Sequence, residues 1–155
     1  MQPRMRNPVT FLPGAMEAMH QLGKVIQAAG VPRQTLELFN LRASQINGCA
    51  VCLDMHSRAL VKLGDTTERL HTVAAWRETP YFTDAERAGL ALTEAMTRLA
   101  DRSDPIPDEI WGEAARHFSE KALAAIVASI AVINLYNRVN TATRQVTGPW
   151  VEDYI

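Results

Sequence analysis

The chain has 155 residues, 47% of them hydrophobic and 21% charged, with a formal net charge of -1. That length buries a single core, and the composition excludes a disordered chain. The balanced charge, without a basic run or face, excludes recognition of nucleic acid through its phosphates.

Residues 1–13 read as an irregular arm, with Pro3, Pro8 and Pro13. Met16, Met19, Val25 and Ile26 fit a helix from Gly14 to Ala29, which Gly30 and Pro32 end. A second helix runs from Arg33 to Ile46, with Leu36, Phe39, Ala43 and Ile46 on one stripe, and Asn47-Gly48 suits a left-handed stop. A third covers Cys49 to Leu63, closed by Gly64, and Asp65 is the expected N-cap of a fourth from Thr66 to Arg77. After the break at TPYF, Thr83 and Glu86 form a capping-box pattern opening a long helix through Ala100. The stretch DRSDPIPDE is a turn region, followed by a short helix from Asp108 to His117. Ser119 caps the last long helix, which continues to about Arg144.

The expected class is therefore all-α, with about seven helices: an arm at 1–13, a helical domain at 14–145, and a tail at 146–155 packed on the domain or a neighbouring subunit. The last long helix, ALAAIVASIAVINLYNRV, is apolar on nearly every face until Asn134. A helix of that kind is buried all round, in a core or at a subunit interface. Its longest apolar run, Leu123 to Ile133 interrupted by Ser129, is too short to cross a bilayer. The N-terminal stretch lacks the apolar core of a secretory signal. The expectation is a cytoplasmic protein with neither a membrane nor nucleic acid as partner.

In that compartment a C-x-x-C is more often catalytic or metal-bound than a static crosslink. The only two cysteines are Cys49 and Cys52, with His56 four residues after the second. At roughly 100° per residue, Cys52 lies about 60° from Cys49 around a helix and His56 within about 20° of Cys49. All three share a face, and Cys52 and His56 are (i, i+4) neighbours able to touch. The first turn of a helix favours thiolate over thiol, a nearby imidazole takes the proton, and the second sulfur resolves what forms on the first.

Duller readings compete. C-x2-C-x3-H supplies three zinc ligands, although structural zinc sites draw on two separated segments and no second pair follows. An inert bridge over two residues closes almost no loop. Two buried cysteines can also act as small hydrophobes. Glu37, on or beside the apolar stripe of the second helix, is either a desolvated carboxylate with a raised pKa, able to exchange protons with His56, or a solvated surface residue. His20, His71 and His117 have no local ligand partner and read as surface or capping residues. Trp76, Trp111 and Trp150 read as packing or interface anchors, Met55 as core or interface filler that can also line a substrate entrance, and Asn134, Asn137, Arg138 and Asn140 as a polar end to the last helix that caps neighbouring helix ends or lines a pocket.

Glu37, Cys49, Cys52 and His56 stand in the order E-x11-C-x2-C-x3-H. This pattern, with the surrounding RASQINGCAVCLDMHSRAL, resembles the core motif of the alkylhydroperoxidase AhpD-like family, within the carboxymuconolactone decarboxylase superfamily. The likeness is specific over residues 33–63 and extends in helical layout over about 15–145. It implies an AhpD-like helical fold, homo-oligomers (trimers or hexamers), and thiol-dependent reduction of hydroperoxides without a metal or organic cofactor. It further implies recycling by an external dithiol, either a lipoyl group or a small redox protein. Carried onto this chain, Glu37 and His56 form the proton relay and Cys49 and Cys52 the redox couple. The (i, i+4) relation to His56 selects Cys52 as the attacking thiol and Cys49 as the resolving one, with the reverse left open by Cys49's position near the helix dipole. Some AhpD members carry a histidine between the cysteines, where this chain has Ala50 and Val51; the departure implies slower peroxide turnover or another disulfide substrate. A zinc-binding helical module and a thiol-based redox sensor are the alternative functions, along with the superfamily's decarboxylase branch, which this sequence resembles less because that chemistry does not require the cysteine pair.

Overall fold

The structure, a computed structural model, describes residues 1–100 and 102–155. Its α-helices are α1 (Ala15–Gln27), α2 (Arg33–Asn47), α3 (Ala50–Lys62), α4 (Thr67–Thr72), α5 (Asp84–Thr97), α6 (Asp108–His117) and α7 (Glu120–Thr143). Short 3-10 helices add Pro8–Phe11, Val73–Glu78 and Pro149–Tyr154, and no strand occurs among the described residues. The class is all-α, as the hydrophobic periodicity predicts.

The capping chemistry explains most boundaries. Thr83 and Glu86 form the expected reciprocal box at the start of α5, and the Ser119 hydroxyl accepts the Ala122 N–H at the start of α7. Gly48, at φ 66, provides the left-handed stop between α2 and α3 that folds the two helices against each other. The fourth helix departs from expectation. Its N-cap is Thr66 rather than Asp65, and α4 ends at Thr72 before a 3-10 segment interrupted at Ala75. Asp65 instead accepts the Thr66 N–H and pairs with Arg69 Nε at 2.6 Å. The predicted turn region begins on Asp101, which lies outside the described residues.

The element enclosed on most sides is α2, not α7. Leu36 through Phe39 and Leu41 through Ser44 are all buried, packed against α3, α5 and α7. Phe39 sits edge-on to Phe118, and its ring occupies the space where a side chain at Gly89 would begin. That close approach explains a glycine inside α5, where it otherwise costs helix stability.

Within the single chain α7 is buried along one side, and its outer face is left to the subunit-interface reading. Leu123, Ile126, Ile130 and Ile133 face the core, while Ala124, Ala131 and Leu135 face outward. By length and composition alone α7 also qualifies as long and apolar enough to span a bilayer, because its apolar character continues past the run counted in the sequence. Within the chain, 44% of that stretch is buried. Its inward polar residues mate with α2: Asn47 Nδ2 donates to Asn134 Oδ1 at 2.9 Å and Asn137 Oδ1 at 2.8 Å, and Asn137 Nδ2 to Ser44 Oγ at 3.1 Å. A satisfied polar seam of this kind fixes the register of two packed helices.

One buried charge cluster ties α2 to α5. Glu94 accepts hydrogen bonds from Arg42 Nε (2.7 Å), Trp76 Nε1 (3.1 Å) and Arg77 Nη1 (2.8 Å). Burial works against this carboxylate, but the hydrogen bonds from Arg77, Arg42 and Trp76 and the charge of Arg42 outweigh it, and its pKa falls to about 2 from 4.5. A group whose pKa is depressed by folding stabilises the native state above its unfolded value and loses that contribution as pH falls through its folded value. The thermal midpoint is therefore expected to drop between about pH 4.5 and pH 2. The drop should be shallower in Glu94→Gln, measured by circular dichroism melts across that range. Equal slopes in the two proteins would refute the assignment.

Candidate active site

The glycine turn after α2 brings three of the four motif residues to one place. Glu37, on the buried face of α2, meets His56, on α3, with Oε2 2.6 Å from Nδ1. Arg33, one turn before Glu37, approaches its other oxygen at 3.4 Å. Burial pushes the Glu37 carboxyl up, as the sequence predicts. The hydrogen bond and charge of His56, joined by those of Arg33, outweigh burial and hold the pKa below the ordinary carboxylate value. The expectation of a raised pKa is thus corrected. The signal was in the sequence, since Arg33 stands four residues before Glu37.

An ionised carboxylate only accepts hydrogen bonds. Paired with Glu37, His56 therefore carries its hydrogen on Nδ1, and Nε2 is the nitrogen left to gain or lose a proton. No hydrogen bond joins His56 to either sulfur among the described residues, in which the two sulfurs are bonded to each other.

Cys49 and Cys52 are joined as a disulfide, their Cα atoms 5.4 Å apart. Cys49 is not in the first turn of α3, as its spacing suggests; it is the N-cap, and its sulfur accepts the Cys52 N–H at 3.4 Å. Cysteine takes the place where serine or aspartate is the usual N-cap, so composition hid the boundary. Cys52, in the first turn, accepts a hydrogen bond on Sγ from Asn140 Nδ2 of α7, at 3.4 Å. Both cysteines are buried in a small apolar cluster with Ala43, Val51, Ile133 and Val151. Among the described residues no three His, Cys, Asp or Glu side chains are gathered as a metal-ligand set.

Two cavities flank this cluster. One, of about 480 Å³, reaches Glu37, Cys52 and His56 between apolar walls that include Met55, Val132 and Tyr136. The other, of about 580 Å³, reaches Cys49 from the side of Gly48, Thr141 and Arg144. Asn140 borders both. Trp150 and Tyr154 close the first cavity, from a C-terminal 3-10 helix held on α3 by Glu152, which pairs with Arg58 at 2.6 Å and Lys62 at 2.9 Å. His20, read from sequence as a surface or capping residue, also borders it, whereas His117 pairs with Glu113 at 3.1 Å on α6. Asn140 is the site residue that sequence reasoning missed as a sulfur contact. Its partner lies 88 positions away, and no local spacing announces the pairing.

The family model described as "Carboxymuconolactone decarboxylase family" matches residues 13–95. The uncharacterized protein YdfG of Bacillus subtilis (strain 168) is 34% identical over 130 residues, 84% of this chain and 87% of that protein. An alkyl hydroperoxide reductase AhpD of Methylocella silvestris is 42% identical over 57 residues, 37% of this chain and 32% of its own length. Among solved structures, the protein of unknown function ATU0492 from Agrobacterium tumefaciens, described as a candidate antioxidant defence protein AhpD, superposes with a TM-score of 0.86 at 32% identity. That match covers 95% of this chain and 99% of that one.

Proposed function

The chain belongs to the carboxymuconolactone decarboxylase family, as an AhpD-like member, and from that premise we propose that it is a thiol-dependent peroxidase that reduces organic hydroperoxides through Cys49 and Cys52. The observation that carries this reading is the convergence of Cys52, one half of a bridged cysteine pair, and a Glu37–His56 pair on one largely apolar cavity. A buried disulfide on a helix N-terminus, beside a proton-transfer pair, is the equipment of a redox couple rather than of a brace.

In the reduced protein the Cys52 thiolate attacks the terminal peroxide oxygen, and the O–O bond breaks. Cys52 becomes a sulfenic acid and the substrate leaves as an alkoxide, which takes a proton by way of His56 and departs as an alcohol. The Cys49 thiolate then attacks the sulfenic sulfur, forming the disulfide and releasing hydroxide, which is protonated to water. An external dithiol, a lipoyl group or a small redox protein, attacks the disulfide and leaves oxidised, restoring both thiols. The sum is ROOH plus a dithiol giving ROH, water and a disulfide. Glu37 fixes the tautomer and orientation of His56 throughout. A reducing, cytoplasmic setting and a homotrimeric or hexameric assembly belong to the same reading. Exposed apolar residues on α1 and α7, Leu22, Val25 and Leu135, suit the latter.

Thiol counting tests the proposal. Fully reduced protein exposes two thiols per denatured chain. One equivalent of cumene hydroperoxide is expected to remove both, and dihydrolipoamide to restore both. Thiols that persist after peroxide, or a disulfide that no dithiol reopens, would overturn it.

A further inference from the structure

We propose that Asn140 is a positioning residue that makes Cys52, rather than Cys49, the reacting thiolate, because Asn7 holds the Asn140 amide with its N–H directed at the Cys52 sulfur. This rests on the peroxidase reading above and settles which sulfur attacks.

Asn134, Asn137 and Asn140 recur every three residues along the inward face of α7. The first two are joined to Asn47 of α2. Asn140 has no partner on α2 among the described residues, and turns to Cys52 Sγ instead. It is 7% exposed, so water has little access to that bond. A hydrogen bond donated to the charged form of a thiol lowers its pKa, and burial strengthens the effect.

The direction of the amide matters more than its presence. Rotated by half a turn, Asn140 would present Oδ1 to the sulfur, and a thiolate would be repelled. Asn7 prevents this: its Nδ2 donates to Asn140 Oδ1 at 3.4 Å. The Oδ1 of Asn7 is already occupied, accepting the Val9 N–H as the cap of the first 3-10 helix, which leaves only Nδ2 to face α7. The arm is in turn fastened to the end of α7. The Arg4 N–H donates to the Thr143 carbonyl, Arg4 Nη1 to that of Ala142, and Gln145 Nε2 to that of Met5, each at 2.9 Å.

The two sulfurs are therefore not equivalent. Cys49 takes the backbone N–H of Cys52 and faces the second cavity, away from Glu37 and His56. Cys52 has a side-chain donor and shares its cavity with both relay residues. Charge on sulfur is handled by Asn140, and the proton on the leaving oxygen by His56. The other ionisable groups bordering the Cys52 cavity, His20, Arg33, Glu37, Tyr136 and Tyr154, remain in place when residue 140 is changed.

The test is the pH dependence of alkylation by iodoacetamide in single-cysteine proteins. In a Cys49→Ser background, Asn140→Leu is expected to slow alkylation of Cys52 about tenfold at pH 7. The rates should converge at pH 10, where the thiol is ionised with or without help. Asn140→Asp should slow it further, and Asn7→Ala should act in the same direction to a smaller degree. In a Cys52→Ser background, Asn140→Leu should leave Cys49 alkylation unchanged. Unchanged Cys52 rates at pH 7, slowing that persists at pH 10, or equal slowing of both cysteines would each overturn the proposal. Should Asn140→Asp fail to fold, Asn140→Leu and Asn7→Ala decide. No peroxide enters the assay, so loss of the peroxidase reading and loss of this one are separate results.

Discussion

Replacing Cys52 with serine is expected to abolish hydroperoxide consumption, a loss on the order of a thousandfold or more. A serine hydroxyl stays protonated at neutral pH and cannot attack a peroxide oxygen at a useful rate, whatever its neighbours. The substitution is nearly isosteric, and Cys52 packs among Ala43, Val51, Ile133 and Val151 on an otherwise intact cluster, so the fold should persist. Cys49→Ser should behave differently. Cys52 would still be oxidised once, and the sulfenic acid, lacking a resolving thiol, would accumulate and halt turnover. Stopped-flow oxidation with a sulfenate trap distinguishes the variants: none trapped in Cys52→Ser, about one per chain in Cys49→Ser. The opposite pattern would make Cys49 the attacking residue.

Removing the proton-transfer pair is expected to cost about a hundredfold in turnover, in both His56→Ala and Glu37→Gln, with helical content unchanged. The two losses have different origins. On the proposed mechanism, His56→Ala deletes the group that delivers a proton to the leaving alkoxide. Glu37→Gln keeps that group but replaces an obligate acceptor with an amide that also donates, so the imidazole is no longer confined to carrying its hydrogen on Nδ1. Because His56 and Arg33 hold the Glu37 pKa below the ordinary carboxylate value, Glu37 stays ionised throughout the neutral range. Its protonation should therefore not limit activity above about pH 5. Steady-state rates from pH 5 to 9 check this: a loss of activity in wild type centred within that range but absent from Glu37→Gln would assign the titration to Glu37 and refute the argument.

The sequence carries those parts of this protein that depend on neighbours within a few turns. Cys52 and His56 share a helix face, Arg33 stands one turn before Glu37, and Thr83 with Glu86 announces α5; each relation is local and periodic. The meeting of Glu37 with His56 spans 19 positions, but it follows from two adjacent helices folded at Gly48. Contacts set by tertiary packing leave no such trace. Asn140 meets Cys52 across 88 positions and Asn7 meets Asn140 across 133. The 3-10 helices at Pro8–Phe11 and Pro149–Tyr154 are too short to impose a hydrophobic period. The net sign of the Glu37 shift is hard to read for another reason: burial and charge pull in opposite directions, and only geometry decides between them. The partial exposure of α7 is similarly hidden, since alanine and leucine read alike on either side of a helix.

The walls of the Cys52 cavity differ in what secures them. Val132 and Ile133 belong to a long helix rooted in the core, whereas Trp150 and Tyr154 ride on a short segment held by buried Val151 and, at the surface, through Glu152 to two solvent-facing cations. Such surface ion pairs weaken as electrolyte is added. One jamb of the doorway to the sulfur is thus rooted in the core and the other partly moored by surface charge, so admission of bulky molecules is expected to shift with ionic strength and the chemistry behind the door is not.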